Sequence, residues 1–267
     1  MTESLWIDAV LTSLWAGGLA TGLGALPALA LRSLSERAHA GLAGFAGGVM
    51  LAATFFSLLA PGIELANARW AGAVAIAVAA GAFALGTGGI ALVHRFLPHE
   101  HLMERPEASA ARVLDRGGAS LGRTWLFVLA ITLHNVPEGL AVGVGVGSGE
   151  ESIGLPIALA IAAQNAPEGL VVAISLIREG YGRWMSVGVA LLTGMVEPIG
   201  AAAGAGSLAI SAAALPIALC FAAGTMLFVI SDEVLPESHR SGHRGAATSG
   251  VMLGFVLMMV LDTAFGG

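Results

Sequence analysis

The chain has 267 residues, of which 56% are hydrophobic and 11% charged, with a mean hydropathy of +0.84 and a formal net charge of −6. A soluble domain carries about 25% charged residues, so a water-soluble globule is excluded, and the acidic balance gives nucleic acid nothing to bind. The single cysteine, Cys220, excludes an intrachain disulfide framework and a four-thiolate zinc site; within its apolar run it reads as a small buried hydrophobe.

The N-terminal stretch from Met1 to Asp8 lacks the basic start of a secretory signal, and the apolar run after it is too long for one. It therefore reads as the first membrane span. A spanning helix needs about 20 mostly apolar residues. Eight segments meet that need, at roughly Ile7–Leu31, Ala40–Ala60, Trp70–Phe96, Trp125–Gly147, Pro156–Leu176, Trp184–Gly204, Ala212–Leu235 and Ala246–Phe265. The expected fold is all-α: a polytopic integral membrane protein with eight transmembrane helices, forming one domain over residues 1–267. Small residues such as Gly47, Gly48, Gly143, Gly145 and Gly147 let such helices approach closely. Between spans three and four, Pro98–Arg123 is polar and carries prolines and glycines, which predicts a flexible loop.

Orientation follows from the basic residues. All twelve are arginine, and eleven fall in the loops or span ends on one side; the other side holds only Arg69. The positive-inside rule makes the arginine-rich side cytoplasmic. Both termini and the Ser148–Leu155 loop then lie outside, and the loop at 98–123 lies inside. The expected location is the inner (plasma) membrane, crossed many times.

Polar residues interrupt two spans. Span four contains His134-Asn135-Val136-Pro137-Glu138-Gly139, and span five contains Gln164-Asn165-Ala166-Pro167-Glu168-Gly169. The second motif repeats the first thirty residues on (134 to 164), and Leu140 and Val142 recur as Leu170 and Val172. Ionisable groups inside a span are costly and mark function. His134 is nine residues from the cytoplasmic end of its span, or about 14 Å deep at 1.5 Å per residue. Asn165 is nine residues in from the opposite side, so the two motifs meet near the midplane. His134 and Glu138, like Gln164 and Glu168, are four apart and share a helix face. Pro137 and Pro167 cannot donate to the carbonyls of Leu133 and Ala163, and bent helices at this depth commonly mark binding sites.

Two further residues lie at similar depth: Glu197, in span six, and Met50, in span two. Imidazole, carboxylate, amide and thioether together suit a borderline transition ion such as zinc better than magnesium or calcium. Asn135, Gln164 and Asn165 also suit interhelical hydrogen bonding, and a methionine in a span also suits packing. His134, Glu138 and Glu168 at one depth are not explained by packing.

On these motifs the chain resembles the ZIP (Zrt/Irt-like protein) family of divalent metal transporters, in its bacterial branch. The resemblance covers nearly the whole chain and implies a ZIP-type bundle that imports zinc, with cadmium, iron or manganese as further candidate substrates. It implies two ion positions. Met50, His134, Glu138, Gln164 and Glu168 match the first; Asn135, Glu138, Asn165, Glu168 and Glu197 match the second. Near relatives carry aspartate where this chain has Asn165, which removes one negative charge from the second position. Ser57 and Asp262 match an outer entrance, although an acid at the membrane edge also reads as simply solvated. On the cytoplasmic side His94, His99, His101, Glu233, Glu237, His239 and His243 match an exit region, with Asp232 where a near relative has histidine; a solvated loop is the plainer reading of that cluster.

The resemblance further implies alternating access, with spans one, four, five and six moving as a block against two, three, seven and eight, and a homodimer as the candidate assembly. The expected partners are divalent ions and the lipid bilayer, with no enzymatic activity. Two other readings use the same residues. A proton-coupled antiporter would titrate Glu138 and Glu168 without metal. An intramembrane metalloprotease would need HExxH, which this sequence lacks.

Overall fold

The computed structural model describes residues 3–31, 33–96, 119–210, 214–240 and 242–265, and these are helices joined by short turns, with no strand among them. Eight rods follow in chain order: α1 (Ser4–Leu29), α2 (Glu36–Arg69), α3 (Ala73–Phe96), α4 (Ala119–Gly147), α5 (Glu151–Arg178), α6 (Arg183–Leu208), α7 (Leu215–Arg240) and α8 (Arg244–Phe265). Seven of them are long and apolar enough to cross a membrane by length and composition alone. The other, α4, has 29 residues and carries the first polar motif. The expected eight-helix bundle is thus what the chain forms.

Several boundaries differ from the sequence reading. Helix α2 continues nine residues past Ala60, because a π-helical turn at Thr54–Leu59 absorbs Pro61. A second π-helical turn, Ile230–Val234, precedes Pro236 in α7 in the same way. A third, Leu14–Leu19, lies in α1. Helix α6 is not continuous: it ends at Gly194 and restarts at Glu197. Pro198 has no N–H to offer the Gly194 carbonyl, so the ladder breaks there. Of the expected loop at 98–123, residues 98–118 lie outside the described residues, while 119–123 already belong to α4.

The rods pair through glycines. In the α2–α8 pair, Gly44 and Gly48 sit beneath the carbonyls of Ala247 and Val251, and Gly250 and Gly254 beneath those of Gly41 and Phe45. A β-carbon at any of the four would overlap backbone. Gly139 and Gly143 of α4 meet Gly200 and Gly204 of α6 in the same reciprocal fashion, and α3–α7 and α1–α5 are joined likewise. This is small-xxx-small packing, in which contact of backbones replaces the missing hydrophobic drive in lipid.

These pairs fall into two groups. Helices α1, α4, α5 and α6 pack on one another, as do α2, α3, α7 and α8, and the groups meet chiefly along α2–α5, α4–α7 and α5–α8. None of the close glycine contacts among the described residues joins a helix of one group to a helix of the other. The seam between the groups is instead filled by larger side chains, among them Leu58, Ile157, Ile161 and Met226.

Candidate metal centre

A three-residue turn around Gly149, with φ at +77°, reverses the chain between α4 and α5, so the two motif helices run side by side in opposite directions. Both stay helical through Pro137 and Pro167. The two motifs meet as expected, deep in the bundle. Asn135, Glu138, Gln164, Asn165 and Glu197 are fully buried, Met50 and His134 nearly so, and Glu168 is half-buried. Glu138, Glu168 and Glu197 lie within Coulombic range of one another.

What marks the cluster as a site is its unmatched polarity. Both carboxylate oxygens of Glu138, both amide atoms of Asn135 and Gln164, Oε1 of Glu168, Oε2 of Glu197 and Oδ1 of Asn165 are buried with no hydrogen-bond partner. The Gln164 amide faces Glu138 but does not meet hydrogen-bond geometry. Each such atom costs about 1–3 kcal/mol when left unpaired, and native cores hold few of them. So many at one depth make the cluster a candidate site. Oxygen donors with one imidazole and one thioether fit zinc or a similar ion.

In this conformation the donors are not closed around one point: among the described residues, no three His, Cys, Asp or Glu side chains converge tightly enough to hold an ion. His134 is engaged elsewhere. Its Nε2 is paired with Glu233, a buried acid on the π-helical turn of α7. That ion pair crosses the seam between the two helix groups.

A cavity of about 80 Å³ reaches the cluster from one end. It starts at His39 and Glu237, near the arginine-rich face, and ends on Met50, His134, Glu138 and Glu168. Toward the arginine-poor face the space is packed with Leu58, Ile157, Ile161 and Leu219. The cavity does not touch Asn135, Gln164, Asn165 or Glu197. Asn165 instead donates from Nδ2 to Glu197 Oε1 (2.8 Å) and to the Ala16 carbonyl (3.1 Å).

The outlying candidates separate. Ser57 donates to Asp262 Oδ1 at 2.6 Å, so the two proposed entrance residues do meet, linking α2 to α8. Of the exit residues, Glu233 and Glu237 face the cavity, one helical turn apart. His239 turns away from it, with Nδ1 near the Leu235 carbonyl and Ser238 and Nε2 toward Thr248 of α8, while His243 is exposed beyond the end of α7. His99 and His101 lie outside the described residues, as does the side chain of His94. The sequence reading missed His39, which lines the cavity mouth. Its signal was spacing: His39, Ala43, Ala46 and Met50 follow a three-to-four residue rhythm down one face of α2, and all four line the cavity.

A many-spanned helical bundle whose centre sets unmatched carboxylates and amides beside a paired imidazole, reached by a cavity from one face, defines a class: a membrane transport protein for cations. The comparisons with known proteins narrow the class. A family model described as ZIP zinc transporter matches residues 97–262. Zinc transporter GufA of Myxococcus xanthus is 45% identical, over 93% of this chain and 96% of the relative. Zinc transporter ZIPB of Bordetella bronchiseptica is 47% identical over 94% of this chain and 79% of the relative, and zinc transporter ZIP11 of Homo sapiens is 33% identical over 97% of both. The chain belongs to the ZIP zinc transporter family, and it is a transporter of metal ions rather than an enzyme.

Proposed function

We propose that this protein carries zinc into the cytoplasm by alternating access, binding it in mid-membrane through Met50, His134, Glu138, Gln164 and Glu168. The observation that carries the reading is the one-sided cavity, which ends on four of those five residues and is packed shut beyond them. The arginine count makes its open end cytoplasmic, so the conformation is the release state. The division into two glycine-joined groups supports one group moving against the other. The His134–Glu233 pair engages in this conformation a nitrogen that the ion would otherwise hold, which favours release. Cadmium, iron and manganese share enough ligand chemistry to compete. Uptake of each metal into proteoliposomes tests the reading; a protein that moves none of them is not an importer of this class.

The donor set sets a pH dependence. Imidazole and carboxylate bind metal only when deprotonated, so binding releases protons. With free imidazole titrating near 6.5, zinc affinity is expected to fall steadily as pH drops from about 7 to about 5. An affinity flat over that range, measured by competition with a chromogenic chelator, would point to a site of neutral oxygens.

Orientation has its own test. Ser109→Cys is expected to react with an impermeant maleimide only from the cytoplasmic side, and Ser148→Cys only from outside. Labelling of Ser109→Cys in intact cells reverses the assignment and makes the open cavity an entrance.

A further inference from the structure

The Glu197 carboxylate is held in a way that its neighbours on α4 and α5 are not. It stands at the restart of α6, on the first residue after the break at Met195 and Val196. Its Oε1 accepts from Asn165 Nδ2, whose other hydrogen goes to the Ala16 carbonyl on the π-helical turn of α1. The neighbouring residue on that turn is Gly17, and a β-carbon there would overlap the Glu197 carboxylate. The amide thus ties three elements together: α1, α5 and the broken point of α6. The cavity that reaches Glu138 and Glu168 does not reach this seat.

We propose that Glu197 is a positioning residue seated against Gly17 and Asn165, and that the Asn165 amide hydrogens occupy the role a second metal ion would have there. The inference rests on the transport-site reading above and assigns that site a single ion. An amide nitrogen donates and cannot ligate, and while Nδ2 bridges Glu197 Oε1 and the Ala16 carbonyl, the seat offers an ion only the neutral Asn165 Oδ1 and one carboxylate oxygen, Glu197 Oε2. A second divalent ion would also bring the total charge to four positive against the three carboxylates of the cluster, Glu138, Glu168 and Glu197, in a poorly solvated setting; the further buried acid, Glu233, lies on the His134 side of the cavity, away from this seat. The seat explains why the helix break is tolerated: the acid falls in the first turn of the outer half of α6, where the helix dipole favours negative charge.

Zinc stoichiometry decides the matter. Purified protein equilibrated with excess zinc, with bound metal counted by mass spectrometry, is expected to hold one zinc per chain. Glu197→Gln keeps an oxygen that can accept from Asn165. It should retain that one zinc with affinity changed by less than about three-fold, well under the 10–100-fold loss typical even of outer-shell changes at metal sites. Asn165→Asp removes the donor, adds a charge and is expected to bind two. Gly17→Ala is expected to lower both thermal stability and uptake while one zinc still binds; should it fail to fold, Glu197→Gln carries the test alone. Two zinc ions in the wild type, or a loss of about ten-fold or more in Glu197→Gln, overturns the inference and leaves the transport site standing. No zinc in the wild type overturns both.

Discussion

Glu138→Ala and Glu168→Ala are each expected to reduce zinc uptake in proteoliposomes to the background of empty vesicles, while the protein stays folded in detergent. The two halves of that result have one origin. Both carboxylates contribute buried oxygens that have no hydrogen-bond partner. Removing a buried group that has no partner takes away a desolvation cost rather than a contact, so the melting temperature is expected to hold or rise. The same oxygens are the charges that would draw a divalent ion out of water, and with one missing the other carboxylate faces two positive charges alone. A site tuned for an absent ion trades stability for function. If both variants take up zinc normally, the ion passes elsewhere; if both unfold, the carboxylates are part of the core rather than donors held in reserve.

Tying the two helix groups together is expected to be as damaging as removing a ligand. Arg178, at the end of α5, pairs with Glu36, at the start of α2, at 3.1 Å, and both are exposed. The ion pair itself is worth little, but it marks a place where the seam reaches the surface. Glu36→Cys with Arg178→Cys, joined by a short bifunctional maleimide, is expected to lose uptake entirely while still binding zinc, since the open cavity is fixed open. A cleavable linker should restore transport on reduction. A control lies within one group: Trp125 donates to the Tyr181 hydroxyl at 2.6 Å, and cross-linking Trp125→Cys to Tyr181→Cys is expected to leave transport intact. The native Cys220 is buried behind Gly62 and should not interfere. Normal uptake by the seam-linked protein would mean that the groups do not shift past each other.

Much of this was legible in the sequence because lipid makes strong demands. Eight apolar runs can only be eight helices when every backbone group must be satisfied internally. The repeated motif at 134–139 and 164–169 stood out because ionisable residues at that depth are costly and packing does not explain them. What escaped the reading was local geometry. Pro61 looks like the end of a helix, and nothing in composition says that a π-helical turn will carry α2 nine residues beyond Ala60. Glu233 looks like a residue of the exit, yet the same kind of turn in α7 brings it inward to meet His134. Pro198 announced a disturbance in α6, but a clean break also needs neighbours that tolerate it, here Gly17 on α1 and Asn165 on α5. His39 went unnoticed because a lone histidine at a helix start is unremarkable until the face below it is seen to line the cavity.

The way glycine is distributed has a consequence for how such a protein can change over generations. Where a glycine lies under a neighbour's carbonyl, even one methyl group is barred, and no change in the partner helix can make room, since the obstacle is backbone. Those positions are frozen in pairs. Along the seam the obstacles are side chains such as Leu58, Ile157 and Met226, which can exchange bulk with one another. On the proposed mechanism, lineages can therefore retune how readily the two halves slip without disturbing what holds either half together. A saturation scan scored for folding alone should draw the outline of two rigid parts, and one scored for transport rate should light up the line between them.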